Sequence, residues 1–166
     1  MSSNEKLRQP KAEKLESQDA ATESCFAGLR VLVAEDNEVN KMVAEFQLTS
    51  LGCTVKGATH GQETLENFLA EPFDLILMDC QMPVMDGFEA TSQIRMLQAG
   101  TGKRIPIVAM TAFTTEYDRQ ACLAAGMDDF IAKPINKKIV VQVLGRTLTR
   151  LKGWHSKPFS PAIPRA

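Results

Sequence analysis

The chain of 166 residues fits one domain of ordinary size with length left for tails, and its 44% hydrophobic content is enough for a core. A formal net charge of -1, with pI near 6.1, argues against any global attraction to nucleic acid or to an anionic membrane. Widely spaced Cys25, Cys53, Cys80 and Cys122 argue against a disulfide framework or zinc site, and no run reaches the roughly 18 apolar residues of a spanning helix or the order of a signal peptide.

The expectation is a soluble cytoplasmic protein with no nucleic-acid partner and no membrane insertion. Residues 1–26 are mostly polar, with Leu7 and Leu15 their only large aliphatics after Met1, and read as a disordered segment or linker. Residues 152–166 carry Pro158, Pro161 and Pro164 and read as an extended tail. One domain over 27–151 lies between them.

In that domain short apolar runs alternate with segments of helical period. Leu29 to Ala34 reads as a strand; Asn37 can cap a helix in which Val39, Met42, Val43, Phe46 and Leu51 recur at amphipathic three- and four-residue steps, and Gly52 closes it. Cys53 to Lys56 is a second strand, and Thr59 with Gln62 predicts a capping box for a second helix through Leu65, Phe68 and Leu69. Phe73 to Met78 is a third strand and Phe88 to Leu97 a third helix, after an Asp86-Gly87 turn in which Gly87 is expected at positive φ. Ile105 to Met110 is a fourth strand. Thr115 caps a fourth helix ending at Gly126, Asp129 to Ala132 is a fifth strand, and Asn136 opens a last helix to about Leu151. The fold class is α/β: a (βα)5, doubly wound, five-stranded parallel sheet, whose strands are apolar throughout because helices cover both faces.

In such sheets ligands bind beyond the carboxyl ends of the strands. The residues there are Glu35 and Asp36 after strand one, Asp79 after strand three, Thr111 after strand four and Lys133 after strand five. Three carboxylates sharing a small space repel one another, and the usual remedy is a hard divalent cation, for which Mg2+ is suited. An octahedral ion that keeps an open position admits a phosphoryl oxygen; Lys133 can neutralise developing charge while the Thr111 hydroxyl hydrogen-bonds the group. Cys80 reads as packing, and His60 and His155 sit in no phosphodonor helix, so the phosphoryl donor is another molecule.

Val33-Ala-Glu-Asp-Asn37, Met78-Asp-Cys-Gln-Met-Pro-Val-Met-Asp-Gly87, Met110-Thr-Ala112 and Ala132-Lys-Pro134, in that order, resemble the response-regulator receiver family. The wording from Met78 to Thr91 is most similar to receivers attached to hybrid sensor histidine kinases. The resemblance implies a flavodoxin-like receiver fold over residues 29 to about 151 and a phosphoacceptor role in a two-component phosphorelay. It implies Asp79 as the phosphorylated residue and a metal ligand, and Asp36 as a direct Mg2+ ligand, with Mn2+ able to substitute. Glu35 would ligate through water, and the Gln81 backbone carbonyl would be a further ligand. Thr111 and Lys133 would contact the phosphoryl group, Phe130 would swing inward on activation, and Lys133-Pro134 would be cis.

Partners so implied are a histidine kinase or histidine phosphotransfer protein and a downstream protein target, engaged through helix four, strand five and helix five. The domain would not be an enzyme beyond its own phosphorylation and slow dephosphorylation. Gln81 and Phe113 occupy the two positions that tune hydrolysis in the family, and Phe113, lacking donor and acceptor, is expected to shield the acyl phosphate. An Mg2+-dependent phosphatase with an aspartyl nucleophile is the alternative enzyme class, disfavoured because Gln81 stands where such enzymes place a general acid. A docking module that is never phosphorylated is the other, disfavoured by the full set of site residues.

Overall fold

The computed structural model describes residues 26–112 and 114–150 of the chain. The expected polar segment and tail therefore lie outside the described residues, apart from Phe26. Five strands and five helices alternate: β1 (Arg30–Ala34), α1 (Glu38–Thr49), β2 (Thr54–Ala58), α2 (Gly61–Ala70), β3 (Leu75–Asp79), α3 (Gly87–Gln98), β4 (Ile107–Thr111), α4 (Glu116–Ala125), β5 (Asp129–Ala132) and α5 (Lys137–Arg150). All pairings are parallel, in the order β2-β1-β3-β4-β5, so the strand order reverses between β1 and β3.

Strand side chains alternate between two buried clusters, as a pleated strand covered on both faces requires. Val31, Val33, Leu75, Leu77, Val108 and Met110 pack with Ala44 and Leu48 of α1 and with Val140, Val143 and Leu144 of α5. Leu32, Ile76, Met78 and Ile107 pack on the other face with Leu65, Phe68 and Ile94 of α2 and α3, and with Cys122 of α4. Every residue of β3 and β4 is buried. That central position fixes Asp79 and Thr111 at the end of a rigid core.

The helix ends repeat the logic of the sequence with two corrections. Asn37 caps α1 by accepting the Asn40 amide, and Thr115 and Asp118 form a reciprocal capping box on α4, which closes at left-handed Gly126, φ 101°. Helix α2, however, does not use a Thr59–Gln62 box. His60 is its N-cap, its Nδ1 accepting from the Glu63 amide at 3.2 Å, while the Glu63 carboxylate accepts from both the amide and the hydroxyl of Thr59. The Glu63 carboxyl is held below its usual range by those hydrogen bonds from Thr59. An imidazole nitrogen replaced the hydroxyl that the sequence suggested.

The second correction is Gly87, which is not at positive φ. It is the first residue of α3, capped by Asp86, and its amide donates to the Cys80 carbonyl at 3.2 Å. A Cβ there would lie 2.1 Å from the Asp79 carbonyl oxygen, so close approach rather than backbone conformation demands glycine. Gly87→Ala should therefore cost about 3 kcal/mol of unfolding free energy, near the top of the range for overpacking against a backbone that cannot yield. Gly145→Ala, on α5 with nothing within 4 Å of the added Cβ, should instead gain about 0.5–1 kcal/mol. Paired denaturant titrations check this, and equal effects at the two sites would refute the close-approach account.

Candidate functional site

An open cleft of about 830 Å³ lies at the carboxyl ends of β1, β3, β4 and β5. Its acidic floor is Glu35, Asp36 and Asp79, each offering a carboxylate oxygen within 4.8 Å of the others. Register explains the convergence. Ala34 pairs with Met78, Asp79 with Met110 and Thr111 with Ala132, so the residues one step past β1 and β5 and the last residues of β3 and β4 share one edge. The Lys133 amide donates to the Thr111 carbonyl at 2.9 Å, extending the ladder to the lysine itself.

Lys133 Nζ stands 2.6 Å from Glu35 Oε2 and 3.1 Å from Asp79 Oδ2. Glu35 is 1% exposed, and its Oε1 accepts the Asn37 amide at 3.1 Å. Asp79 is also buried, and its Oδ1 accepts the Gln81 amide at 3.1 Å. Asp36 is exposed and lines the cleft. Burial pushes the Asp79 carboxyl up to about 6; the Gln81 amide and Lys133 oppose the rise, while the Glu35 charge adds to it. For Lys133 burial favours the neutral amine, but its bonds to Glu35 and Asp79 outweigh that and leave it raised and charged.

Three carboxylates beside one ammonium leave two negative charges uncompensated in a mostly buried space. That donor set fits a hard divalent ion with oxygen ligands, and among the described residues it is the one trio of acids so placed.

Thr111 is buried at the end of β4 and lines the cleft beside exposed Ala112. The Lys133-Pro134 bond is cis, as expected. Phe130 is not in this cleft: it is half-buried against the core and lines a second groove of about 480 Å³ between α4, β5 and α5, with Arg119, Leu123 and Arg146. Phe113 lies outside the described residues. Cys53, Cys80 and Cys122 are buried free thiols, with Cys80 and Cys122 sulfurs 3.8 Å apart. Burial pushes both of these thiols up, which keeps them protonated and accords with packing as the role of Cys80. Asn40 and Phe88 also line the cleft, and the sequence reading did not single them out. Asn40 lies in the first turn of α1, three residues after its N-cap Asn37, whose side chain accepts the Asn40 amide.

Comparison with known proteins adds kinship to this geometry. Sensor histidine kinase GacS of Pseudomonas protegens is 39% identical over 116 residues, covering 69% of this chain and 13% of that protein. Histidine kinase 1 of Arabidopsis thaliana is 35% identical over 159 residues, covering 76% of this chain and again 13% of the relative. The chain thus spans a small part of the length of the curated relatives it matches. Among solved structures, the receiver domain of a Pseudomonas aeruginosa sensor histidine kinase, with a magnesium ion coordinated in its active site cleft, has 41% identity and a TM-score of 0.66, covering 74% of this chain and 99% of that one. The receiver domain of an Arabidopsis thaliana histidine kinase complexed with Mg2+ and BeF3- has 33% identity and a TM-score of 0.68, with 78% and 95% covered. The family model described as response regulator receiver domain matches residues 31–144, well over half of the sequence, and the chain belongs to that family.

Proposed function

We propose that this domain accepts a phosphoryl group from a partner's phosphohistidine onto Asp79 and thereby changes what its α4–β5–α5 face binds. The observation that carries this reading is the meeting of Glu35, Asp36 and Asp79 within 4.8 Å, with Lys133 2.6 Å and 3.1 Å from two of them. In the step, an Asp79 carboxylate oxygen forms a bond to phosphorus as the phosphorus–nitrogen bond of the donor breaks, its electron pair stays on that nitrogen, and the imidazole leaves neutral with the proton its other ring nitrogen already carries. Lys133 and the Thr111 hydroxyl stabilise charge on the transferring oxygens, and burial keeps competing water out. Asp36 and Asp79, Glu35 through water and the Gln81 carbonyl would hold Mg2+, or Mn2+ in its place, and the ion would supply charge neutralisation and orientation for the phosphoryl oxygens.

Thr111 moving toward the phosphoryl group and Phe130 leaving its groove for the interior would link the cleft to the output face. Gln81 and Phe113 would set the slow rate of hydrolysis. The cytoplasm, a reducing compartment, suits the three buried free thiols. The test is intact-mass analysis after incubation with acetyl phosphate and Mg2+: a gain of one phosphoryl group is expected, and no gain would defeat the reading.

The donor has to cover the mouth of the cleft, and the surface beside it is apolar. Val39, Met42, Val43 and Phe46 form an exposed stripe on α1, at 68%, 64%, 40% and 71% exposure, starting next to cleft residues Asn37 and Asn40. A stripe of this kind fits an apolar helical partner carrying the phosphohistidine. Phe46→Glu should slow transfer from such a protein at least tenfold, because burying an unpaired charge costs more than the lost contact. Labelling by acetyl phosphate should not change. Equal loss with both donors would show that the stripe supports the fold and not the docking.

A further inference from the structure

The loop between Asp79 and α3 carries the Gln81 carbonyl, and it is tied down at three points. At its base the Gly87 amide donates to the Cys80 carbonyl at 3.2 Å. At its tip the Met85 amide donates to the Pro83 carbonyl at 2.8 Å, closing a γ-turn around Val84, whose φ is +69°. Val84 is the only residue other than glycine at positive φ among those described, and it is exposed. A β-branched side chain takes that conformation only where the surroundings hold it. The third tie comes from a separate element. The amide of Gly61, the first residue of α2, donates to the Met85 carbonyl at 2.9 Å, which uses one of the helix's unpartnered first amides.

The contact leaves no room for a side chain at position 61. A Cβ there would lie 2.6 Å from the Met85 carbonyl oxygen, 2.8 Å from its Cγ and 3.0 Å from its Cβ. The oxygen belongs to the strained turn, so the loop is the part that would have to move.

We infer that Gly61 is a positioning residue for the phosphoacceptor loop: its amide and its missing side chain clamp Met85, and through the Val84 turn they set where the Gln81 amide and carbonyl stand. The Gln81 amide reaches Asp79 Oδ1 at 3.1 Å, and its carbonyl faces metal in the function proposed above, on which the second half of this inference rests. Gly61 does not line the cleft. It acts through Met85, from the far side of the loop.

Two measurements test the clamp in Gly61→Ala, with Gly145→Ala as the control for adding a methyl where space is open. In metal-free protein, amide hydrogen exchange at Gln81 should accelerate relative to the Leu77 amide in the core of β3. By calorimetry, Mg2+ affinity should fall on the order of tenfold, as when a group that orients a metal ligand is displaced. A purely structural defect would speed exchange at Gln81 and Leu77 together and leave Mg2+ affinity intact, and that result would overturn the inference. If Gly61→Ala does not fold, Gly61→Ala with Met85→Gly removes two of the three overlaps, keeps the one to the carbonyl oxygen, and is read the same way. A parent protein that takes up no Mg2+ would sink the metal reading, while the metal-free exchange ratio would still decide the clamp.

Discussion

Asp79→Asn protein should gain no phosphoryl mass from acetyl phosphate under conditions that add one group to the parent, and at pH 7 without metal it should be the more stable of the two. The first outcome follows because an amide has no nucleophilic oxygen of carboxylate strength. The second follows from charge. Asp79 is 4% exposed and shares the cleft with Glu35 and Asp36 against the single Lys133, so removing its charge leaves one uncompensated carboxylate where there were two. Burial, the largest influence, and the Glu35 charge lift the folded Asp79 carboxyl to about 6 from an ordinary 3.8. A carboxyl raised on folding contributes stability below about pH 4 and loses it as pH climbs to 6, because in that window the unfolded chain has ionised while the folded state still holds its proton. The advantage of Asp79→Asn should thus be small at pH 4, grow through pH 6 and level off above it, reaching at most about 3 kcal/mol. Denaturant titrations of both proteins across that range are the check. A variant that is labelled would dismiss Asp79 as the acceptor, and an advantage that does not vary with pH would dismiss the electrostatic account.

The sheet was legible because its strands are apolar throughout, and the strand-end residues followed from it: Glu35, Asp36, Asp79, Thr111 and Lys133 all line one cleft. Strand limits were harder, for local reasons. Pro106 has no amide to give, so the paired strand starts at Ile107 although Ile105 is fully buried. Asp74 binds the Arg30 guanidinium at 2.9 Å and 3.0 Å, and β3 starts only after it. The second strand was expected to stop at Lys56, yet β2 runs through Gly57 to Ala58, because both pair with β1, at Val33 and Ala34. The largest departure is on α1. Of the five apolar residues that gave its period, Leu51 is buried beyond the helix end, but the helix itself buries Ala44 and Leu48 and turns Val39, Met42, Val43 and Phe46 outward. Periodicity reports that a helix has faces and is silent on which one meets the core. Phe130 in its outer groove and the Gly61 clamp depend on contacts far apart in sequence, which no local pattern encodes.

Labelling of the parent should vanish in excess chelator, and Asp36→Ala should reduce Mg2+ affinity on the order of 100-fold where Glu35→Gln reduces it no more than about tenfold. The two acids differ in what already occupies them. Glu35 is buried, with one oxygen on Lys133 at 2.6 Å and the other accepting the Asn37 amide at 3.1 Å. An amide there keeps one acceptor in place and stays too far committed to be the main ligand. Asp36 is exposed on the cleft wall, where its carboxylate can enter a coordination shell directly, and alanine leaves nothing to replace it. The pH dependence carries a second signature. Because Asp79 holds its proton up to about 6, binding a cation below that pH must expel the proton, so Mg2+ affinity should climb up to tenfold per pH unit toward 6 and flatten above it. In Asp79→Asn the slope should largely disappear, since the residue that releases the proton is gone. Calorimetry in two buffers of different ionisation enthalpy counts the protons released. Affinity that is flat from pH 5 to 8 in the parent, or a loss in Glu35→Gln that matches Asp36→Ala, would mean that the ion is held by a different set of oxygens.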